Sequence, residues 1–161
     1  MNMKSKALKT VYLGIGTNKG RREENISRAL SLLSSIKGIT VLKVSRMFKN
    51  PPREGVKSGY FLNGAIKLLT LLSPEELLKV CKRIEIKMGR KIRGFNKKQS
   101  RIIDLDILFY GNKVIKTKTL TIPHPMIEKR DFVLIPLLEI AKDFKHPVLE
   151  KTILQLTSAI F

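Results

Sequence analysis

Residues 101–111 read RIIDLDILFYG, and this stretch decides the fold prediction. Ile, Leu and Phe dominate it, and Gly111 with Asn112 closes it, which is typical of a β-strand. Because side chains alternate between the two faces of a strand, one face is expected to be wholly apolar and to build a core. That face is made of Ile103, Leu105, Ile107 and Phe109.

The opposite face of this strand is expected to carry Asp104 and Asp106, together with Ile102 and Leu108. Carboxylates two residues apart lie roughly 6–7 Å from each other along a strand. Like charges on one face repel, so a cation between them would stabilise the pair. Mg²⁺ is the natural candidate, because it binds carboxylate oxygen and often phosphate as well. The alternative is a solvent-facing pair on a half-exposed sheet, since Asp-X-Asp is a short and common pattern.

The length of the chain, 161 residues, suits one domain over residues 1–161 with one core. The sequence contains no run of about eighteen apolar residues that would predict a transmembrane helix. The basic N-terminus is not followed by a long apolar segment or a small-residue cleavage site. We therefore expect a cytoplasmic protein without a membrane partner, and a monomer. The single cysteine, Cys81, is expected to be a packed thiol.

The net charge is +19, from 32 Lys and Arg against 13 Asp and Glu. Such a field attracts polyanions, including nucleotides and nucleic acid. Lysines are scattered along the whole chain, so composition alone is a sufficient explanation for most of this charge. Residues 90–101 are different, because they hold six Lys or Arg and no acid. This segment is either a solvated basic loop, a phosphate clamp or a nucleic-acid contact.

Periodicity along the chain predicts the order β-α-β-β-α-β. This order indicates a ferredoxin-like antiparallel sheet with both helices on one face and the other face available for a site. Later segments are expected to add a hairpin over 107–122, a strand or helix near 132–140 and a helix over 148–158. The strands are predicted over 10–17, 39–48 and 61–71 and at the Asp-X-Asp stretch. The helices are predicted over 22–35 and from Ser73 to near Gly89.

Two details sharpen this pattern. Gly14 and Gly16 lie on the same face of the first strand and leave space where a ligand could approach. Ser73, Pro74 and Glu76 form a strong helix start, with a capping serine, a proline at the first helical position and a glutamate two residues after that proline.

Seven motifs, taken together and in this order, resemble the 6-hydroxymethyl-7,8-dihydropterin pyrophosphokinase family, from about Val11 to about Leu154. Each motif is weak alone, but their spacing on this order of strands and helices is specific. The resemblance implies an α+β ferredoxin-like fold and transfer of pyrophosphate from ATP to a hydroxymethyl dihydropterin in folate biosynthesis. The motifs are VYLGIGTNKG, NPPREG, FLNGAI, LSPEELL, RIEIKMGR, RIIDLDILFYGN and IPHPMIEKRDFVLIPL.

The resemblance implies roles around ATP for several residues. Asp104 and Asp106 match the pair that holds two Mg²⁺ ions. His124 and Arg130 match the contacts to the ATP phosphates. Glu85 matches the glutamate of the family's RIE-GR signature, which implies a contact to ATP. The resemblance also implies catalytic roles for Arg90 and Arg101 as loop arginines that close over the nucleotide.

The resemblance implies a second group of residues for the pterin. Phe61 and Phe132 match two aromatic walls that sandwich the flat ring, and Asn63 matches its hydrogen-bond partner. Asn50 and Pro51 match a further contact, although the family usually has threonine where Asn50 stands. The segment 90–101 also departs from the family, because it carries no tryptophan.

Other interpretations apply if the resemblance is set aside. The two phenylalanines would be core residues and His124 a surface residue, and His146 is expected to be structural in either case. A nucleic-acid-binding domain is a second hypothesis. The stacking signature of such sheets is absent and the two aspartates would repel phosphate, so no nucleic-acid partner is required. Another Asp-X-Asp nucleotidyl or phosphoryl transferase is a third.

Overall fold

The computed structural model describes residues 6–52, 59–89 and 102–161. Its order of strands and helices confirms the predicted β-α-β-β-α-β arrangement, followed by C-terminal additions. The bounds are β1 (Lys9–Thr17), α1 (Arg22–Ser34), β2 (Ile39–Val44), β3 (Phe48–Asn50), β4 (Phe61–Thr70), α2 (Pro74–Lys87), β5 (Asp104–Tyr110), β6 (Ile115–Lys116), β7 (Thr121–Ile122), α3 (Asp131–Ala141) and α4 (Ile153–Ser158), with a single 3-10 turn at Ile127–Lys129.

The main sheet has the strand order β2-β4-β1-β5, and β3 pairs with β4 beyond the end of β2. All of these pairs are antiparallel. The predicted strand 39–48 is therefore two short strands. The interruption lies at Ser45, whose hydroxyl accepts a hydrogen bond from the Ala65 amide at 2.8 Å. This side-chain contact replaces a regular ladder bond and lets the chain step from β2 to β3.

Helices α1 and α2 pack on one face of the sheet. The strand residues beneath them are fully buried, with Val11, Leu13 and Leu68 at 0% exposure. Burying each such side chain stabilises the fold by roughly 1.5–3 kcal/mol. Helix α2 begins as predicted, because Ser73 accepts from the Glu76 amide while the Glu76 carboxylate accepts from the Ser73 amide.

The C-terminal additions cover part of the opposite face. Tyr12 and Ala65 of the central strands pack there against Leu134 and Leu137 of α3 and against Ile153 of α4. The remaining part of this outer face carries the polar residues of the sheet. The fold therefore has apolar layers on both sides of one sheet, with an opening beside α3.

A salt bridge ties α3 to the segment between β2 and β3. The Glu139 carboxylate accepts from the Arg46 amide at 2.9 Å and from its Nε at 3.0 Å. The hydrogen bond from the Arg46 amide is the main cause that lowers the pKa of Glu139. One carboxylate thus contacts both the backbone and the side chain of Arg46, which links α3 to the segment between β2 and β3.

The facing of Phe109 differs from the prediction. The register of β1 and β5 shifts between the pairs Leu13–Ile107 and Tyr12–Phe109, which leaves Leu108 as an extra residue. This β-bulge turns Phe109 to the outer face, so the expectation that it shares the face of Ile107 is wrong. The extra residue breaks the two-residue alternation on which that expectation rested.

The structure shows which of the alternatives predicted for the C-terminal part of the chain forms. Residues near 132–140 form helix α3, and the last helix begins at Ile153 rather than 148 because Thr152 and Gln155 form a capping box. The predicted hairpin is the short pair β6–β7. Within the described parts of the chain, no helix combines the length and the apolar character needed to cross a membrane.

His146 is structural, as expected, and its contacts require the neutral ring. It is 5% exposed, and its Nδ1 accepts from the amides of Val148 at 3.1 Å and Leu149 at 3.0 Å. Burial lowers the pKa of His146 below its usual 6.5, against a smaller opposing effect of Glu128. Protonation would remove the acceptor and leave a buried charge.

We predict that the stability of the protein falls as the pH drops below about 6.5. Below this pH His146 takes up a proton in the unfolded chain, while in the folded chain it stays neutral. The stabilisation is therefore complete above the pKa of His146 in the unfolded chain and is lost as the pH falls toward its pKa in the folded chain. Urea unfolding at a series of pH values measures this loss. His146→Gln should flatten that part of the profile, while the control His124→Gln should retain it. A profile that His146→Gln leaves unchanged contradicts the assignment.

Candidate active site

Polar residues from three strands line up across the outer face of the sheet. Gly16 of β1 pairs with Asn63 of β4 on one side and with Asp104 of β5 on the other. Gly14 pairs with Asp106 in the next row on the same face. Directly paired residues point the same way, so the amide and both carboxylates face the same space. Each is half-buried.

The two glycines keep this space open. A Cβ at Gly16 would lie 2.9 Å from the Asn63 Oδ1, which is closer than real Cβ contacts allow. A Cβ at Gly14 would meet Leu108 at 3.5 Å, an ordinary contact. Gly16 therefore lets the Asn63 side chain lie over the β1 backbone. The sequence-based expectation of space at these glycines is confirmed.

The wall opposite the sheet comes from the segment between β7 and α3. The His124 amide donates to the Leu108 carbonyl at 3.0 Å, which places His124 at the β-bulge. Arg130 precedes the first residue of α3 and lies with its guanidinium carbon 5.6 Å from the centre of the Phe132 ring. A histidine, an arginine and an aromatic ring thus face the two carboxylates.

These walls surround an open pocket that is continuous with solvent. The pocket brings together six of the predicted site residues and combines acidic, cationic, amide and aromatic groups. Its lining residues are Gly14, Ile15, Gly16, Asn63, Gly64, Asp104, Asp106, Leu108, His124, Arg130, Phe132 and Val133.

Three predicted pterin residues lie next to this pocket rather than in its lining. Phe61 is two residues before Asn63 on the same face of β4, and it pairs with Asn50 of β3. Pro51 follows β3 and is exposed. These residues form the edge of the sheet beyond the Asn63 end of the pocket.

Glu85 lies on the other side of the sheet. It is fully buried in α2, with Oε1 3.2 Å from the Lys82 Nζ, and Oε2 accepts from the Leu105 amide at 3.4 Å. Leu105 separates the two aspartates, so the contact reaches the backbone of their strand and not the pocket. Beside it, burial and the negative charge of Glu85 raise the pKa of the Cys81 thiol to about 12, which fits the expected packed thiol.

Arg90 and Arg101 lie outside the described residues, as does the whole segment 90–101. Their roles stay predictions. The lining also contains residues that the sequence analysis did not assign to a site. Leu108 lies on the face of β5 predicted for it, and Val133 enters because α3 begins at Asp131 and brings its first residues to the pocket.

The donor set fits Mg²⁺ bound together with phosphate. In the described segments, no three His, Cys, Asp or Glu side chains cluster as a complete metal cage. Mg²⁺ does not need one, because it usually takes one or two carboxylates and completes its shell with water and substrate phosphates. Asp104 and Asp106 in an open pocket supply that number of ligands.

The fold and the pocket define the class as a small α+β protein with an open pocket in which two carboxylates face an arginine and a histidine. Comparison with known proteins narrows this class. The sequence model of the family described as 7,8-dihydro-6-hydroxymethylpterin-pyrophosphokinase (HPPK) matches residues 12–142. The chain therefore belongs to the HPPK family.

Individual relatives agree with this assignment. A 2-amino-4-hydroxy-6-hydroxymethyldihydropteridine pyrophosphokinase of Aquifex aeolicus is 42% identical over 142 residues, which cover 88% of this chain and 86% of that protein. The enzyme of the same name from Haemophilus influenzae is 36% identical over 86% of this chain and 85% of its own length. The Schizosaccharomyces pombe folic acid synthesis protein fol1 is 44% identical, but the match spans 19% of that longer protein.

A solved structure supports the fold. The HPPK-DHPS of Plasmodium falciparum superposes with a TM-score of 0.74 and 17% identity, covering 98% of this chain and 46% of that one. At this identity the likeness concerns the fold alone, and it agrees with the ferredoxin-like arrangement of strands and helices.

We predict that Gly16→Ala weakens substrate turnover more than Gly14→Ala. The new methyl group at position 16 displaces Asn63 and narrows the pocket, and small misplacements of this kind cost about tenfold to hundredfold in rate. The methyl group at position 14 makes only an ordinary contact with Leu108. Steady-state kinetics of both purified variants test the order. Equal effects of the two substitutions would refute the role given to Gly16.

Proposed function

We propose that the protein transfers the pyrophosphoryl group of ATP to 6-hydroxymethyl-7,8-dihydropterin and releases AMP, a step of folate biosynthesis. The proposal rests on one observation. Asp104, Asp106 and Asn63 line the same pocket as Arg130 and Phe132. Membership of the HPPK family supports the same substrates.

The reaction forms one bond and breaks one. The hydroxymethyl oxygen of the pterin attacks the β-phosphorus of ATP, and the bond from that phosphorus to the α–β bridging oxygen breaks. AMP leaves with the bridging oxygen, and the hydroxyl proton is lost. The pocket must therefore hold the pterin and the triphosphate in line and must offset negative charge on the phosphate oxygens.

The side of the pocket formed by β5, His124 and Arg130 suits the triphosphate. Asp104 and Asp106 would hold Mg²⁺, with two ions as the proposed number, and Mg²⁺ supplies charge neutralisation and Lewis-acid activation when it is bound. Arg130 offers a permanently charged donor pair to phosphate, and His124 adds a further contact. Arg90 and Arg101 are proposed to complete the cationic surroundings.

The end of the pocket at β4 suits the pterin. Phe132 lines the pocket, and Phe61 lies on the same face of β4 as Asn63, so two rings are available for the two faces of a flat heterocycle. The Asn63 amide can both donate and accept, which matches the amide-like edge of a pterin. Asn50 and Pro51 are proposed to close the edge beside Phe61.

Glu85 is proposed to act on ATP through the strand that carries the aspartates. Its carboxylate accepts a hydrogen bond from the Leu105 amide, between Asp104 and Asp106. The contact fixes the backbone from which both metal-binding carboxylates project. The direct ATP contact implied by the family resemblance stays a prediction.

We further propose a single domain over residues 1–161 that acts as a monomer in the cytoplasm and needs no nucleic acid or membrane. The alternative of a nucleic-acid-binding sheet is disfavoured by the contents of the pocket. Its outer face presents Asp104 and Asp106, which repel phosphate unless a cation is bound. The +19 charge is compatible with nucleotide capture.

We predict that the protein releases AMP from ATP and Mg²⁺ only when 6-hydroxymethyl-7,8-dihydropterin is present. Chromatographic separation of AMP from ADP measures the products directly. AMP that depends on the pterin establishes pyrophosphoryl transfer, whereas ADP would indicate a simple phosphoryl transferase. Absence of both products from folded protein that binds Mg²⁺ would contradict the proposed substrates.

We predict that Asp104→Asn and Asp106→Asn each lower kcat by about 10²–10³-fold or more, because each removes a charged ligand that acts on the developing phosphate charge. Both substitutions keep the size of the side chain, so the melting temperature should change little. The matched control is Asp143→Asn, which removes the same charge from an exposed position after α3. Near wild-type turnover in either site variant would refute the metal assignment.

A further inference from the structure

Arg22 lies where its charge is unfavourable. It is the first residue of α1, and a helix N-terminus favours negative charge, a preference that Glu23 and Glu24 follow. Its neighbour Arg21 is exposed, as expected for an arginine at this place, but Arg22 is half-buried. The burial of a cation at the wrong end of a helix calls for specific compensating contacts.

The guanidinium of Arg22 makes these contacts with three backbone carbonyls, two in the turn before α1 and one just before β4. Nε donates to the Tyr60 carbonyl at 2.9 Å, Nη2 to the Asn18 carbonyl at 3.1 Å, and Nη1 to the Gly20 carbonyl at 3.3 Å. The guanidinium carbon also lies 4.3 Å from the centre of the Tyr60 ring. The planar fork of an arginine can satisfy all of these partners at once, and a lysine cannot.

These contacts lie just beyond the last pair of residues in the ladder between β1 and β4. The last pair of that ladder is Thr17 with Leu62, and the chain continues as Asn18 on one strand and Phe61 on the other. Arg22 joins the two strands just beyond that pair, through the carbonyls of Asn18 and Tyr60. A side chain thus extends the connection between the strands where backbone pairing ends.

The pocket begins one pair further along the same ladder. Gly16 and Asn63 are paired there and both line the pocket, while Phe61 precedes Asn63 by two residues. Arg22 is not among the residues that line the pocket, and the proposed metal ligands Asp104 and Asp106 lie on β5, which does not pair with β4. Loosening the end of β4 should therefore affect Phe61 and Asn63 much more than Asp104 or Asp106.

We propose that Arg22 is a positioning residue for the pterin end of the site. It fastens the start of β4 to the end of β1 and so sets Phe61 and Asn63 at the spacing that a flat heterocycle requires. This inference rests on the proposed function, because it assigns the β4 end of the pocket to the pterin.

The test compares Arg22→Met with Arg21→Met, two substitutions that remove the same charge from adjacent positions. For Arg22→Met we expect the KM for the dihydropterin to rise by about tenfold or more, since part of an aromatic stacking interaction is lost. The KM for ATP should stay within about twofold, because the phosphate contacts are untouched. Arg21→Met should behave as the wild type in both.

A third variant, Arg22→Lys, separates geometry from charge. It keeps the positive charge but cannot reach three carbonyls, so we expect it to share the defect in pterin KM. Restoration of the wild-type KM by lysine would overturn the proposal, because charge alone would then be sufficient. If Arg22→Met does not fold, Arg22→Lys against Arg21→Met provides the same comparison.

Other outcomes are equally decisive. Equal rises in both KM values, together with a lower melting temperature, would indicate general loosening and overturn the positioning role. Identical behaviour of the Arg22 and Arg21 variants would do the same. A wild type that releases no AMP with the pterin present contradicts the proposed function itself, which distinguishes that failure from a failure of the role of Arg22.

Discussion

The position of β1 between β4 and β5 is the constraint on which the site depends. One residue of β1, Gly16, has Asn63 on one side and Asp104 on the other. Antiparallel pairing fixes the side-chain direction of all three strands at this row, so an amide and a carboxylate that are far apart in the chain share one face. The absence of a side chain at Gly16 leaves the space between them open to a ligand.

The inner face of the sheet contributes mainly to stability, and the outer face carries the pocket. Helices α1 and α2 bury the inner face completely, which provides a rigid base beneath Asp104 and Asp106. The outer face is covered by α3 and α4 around Tyr12 and Ala65 but is open beside them. The β-bulge at Leu108 lies at the boundary, where it turns Phe109 into the outer cluster and bonds to the His124 amide. The same irregularity therefore closes the core and places a site residue.

Buried polar contacts hold the strands that carry the site. Glu85 reaches the backbone of β5 from behind, Ser45 takes the place of a ladder bond at β4, and Arg22 joins the ends of β1 and β4. In each case a side chain satisfies backbone groups that regular pairing leaves without a partner on the strand. Such contacts stiffen the positions from which the pocket residues project, and stiff supports are what a reaction with strict in-line geometry needs.

The sequence by itself determined the order of the strands and helices and the capped start of α2, because period and capping are local properties. Through the family resemblance it also pointed to six residues that line one pocket. It did not determine the facing of Phe109, the break at Ser45 or the placement of Glu85 behind the sheet. Those depend on register between distant strands, where one extra residue reverses a face. The sequence places Arg22 only at the start of a helix, since its contact with the Tyr60 carbonyl forms only when β1 and β4 pair. Tertiary structure decided which predicted residues meet in one pocket, because only pairing across the sheet sets their distances.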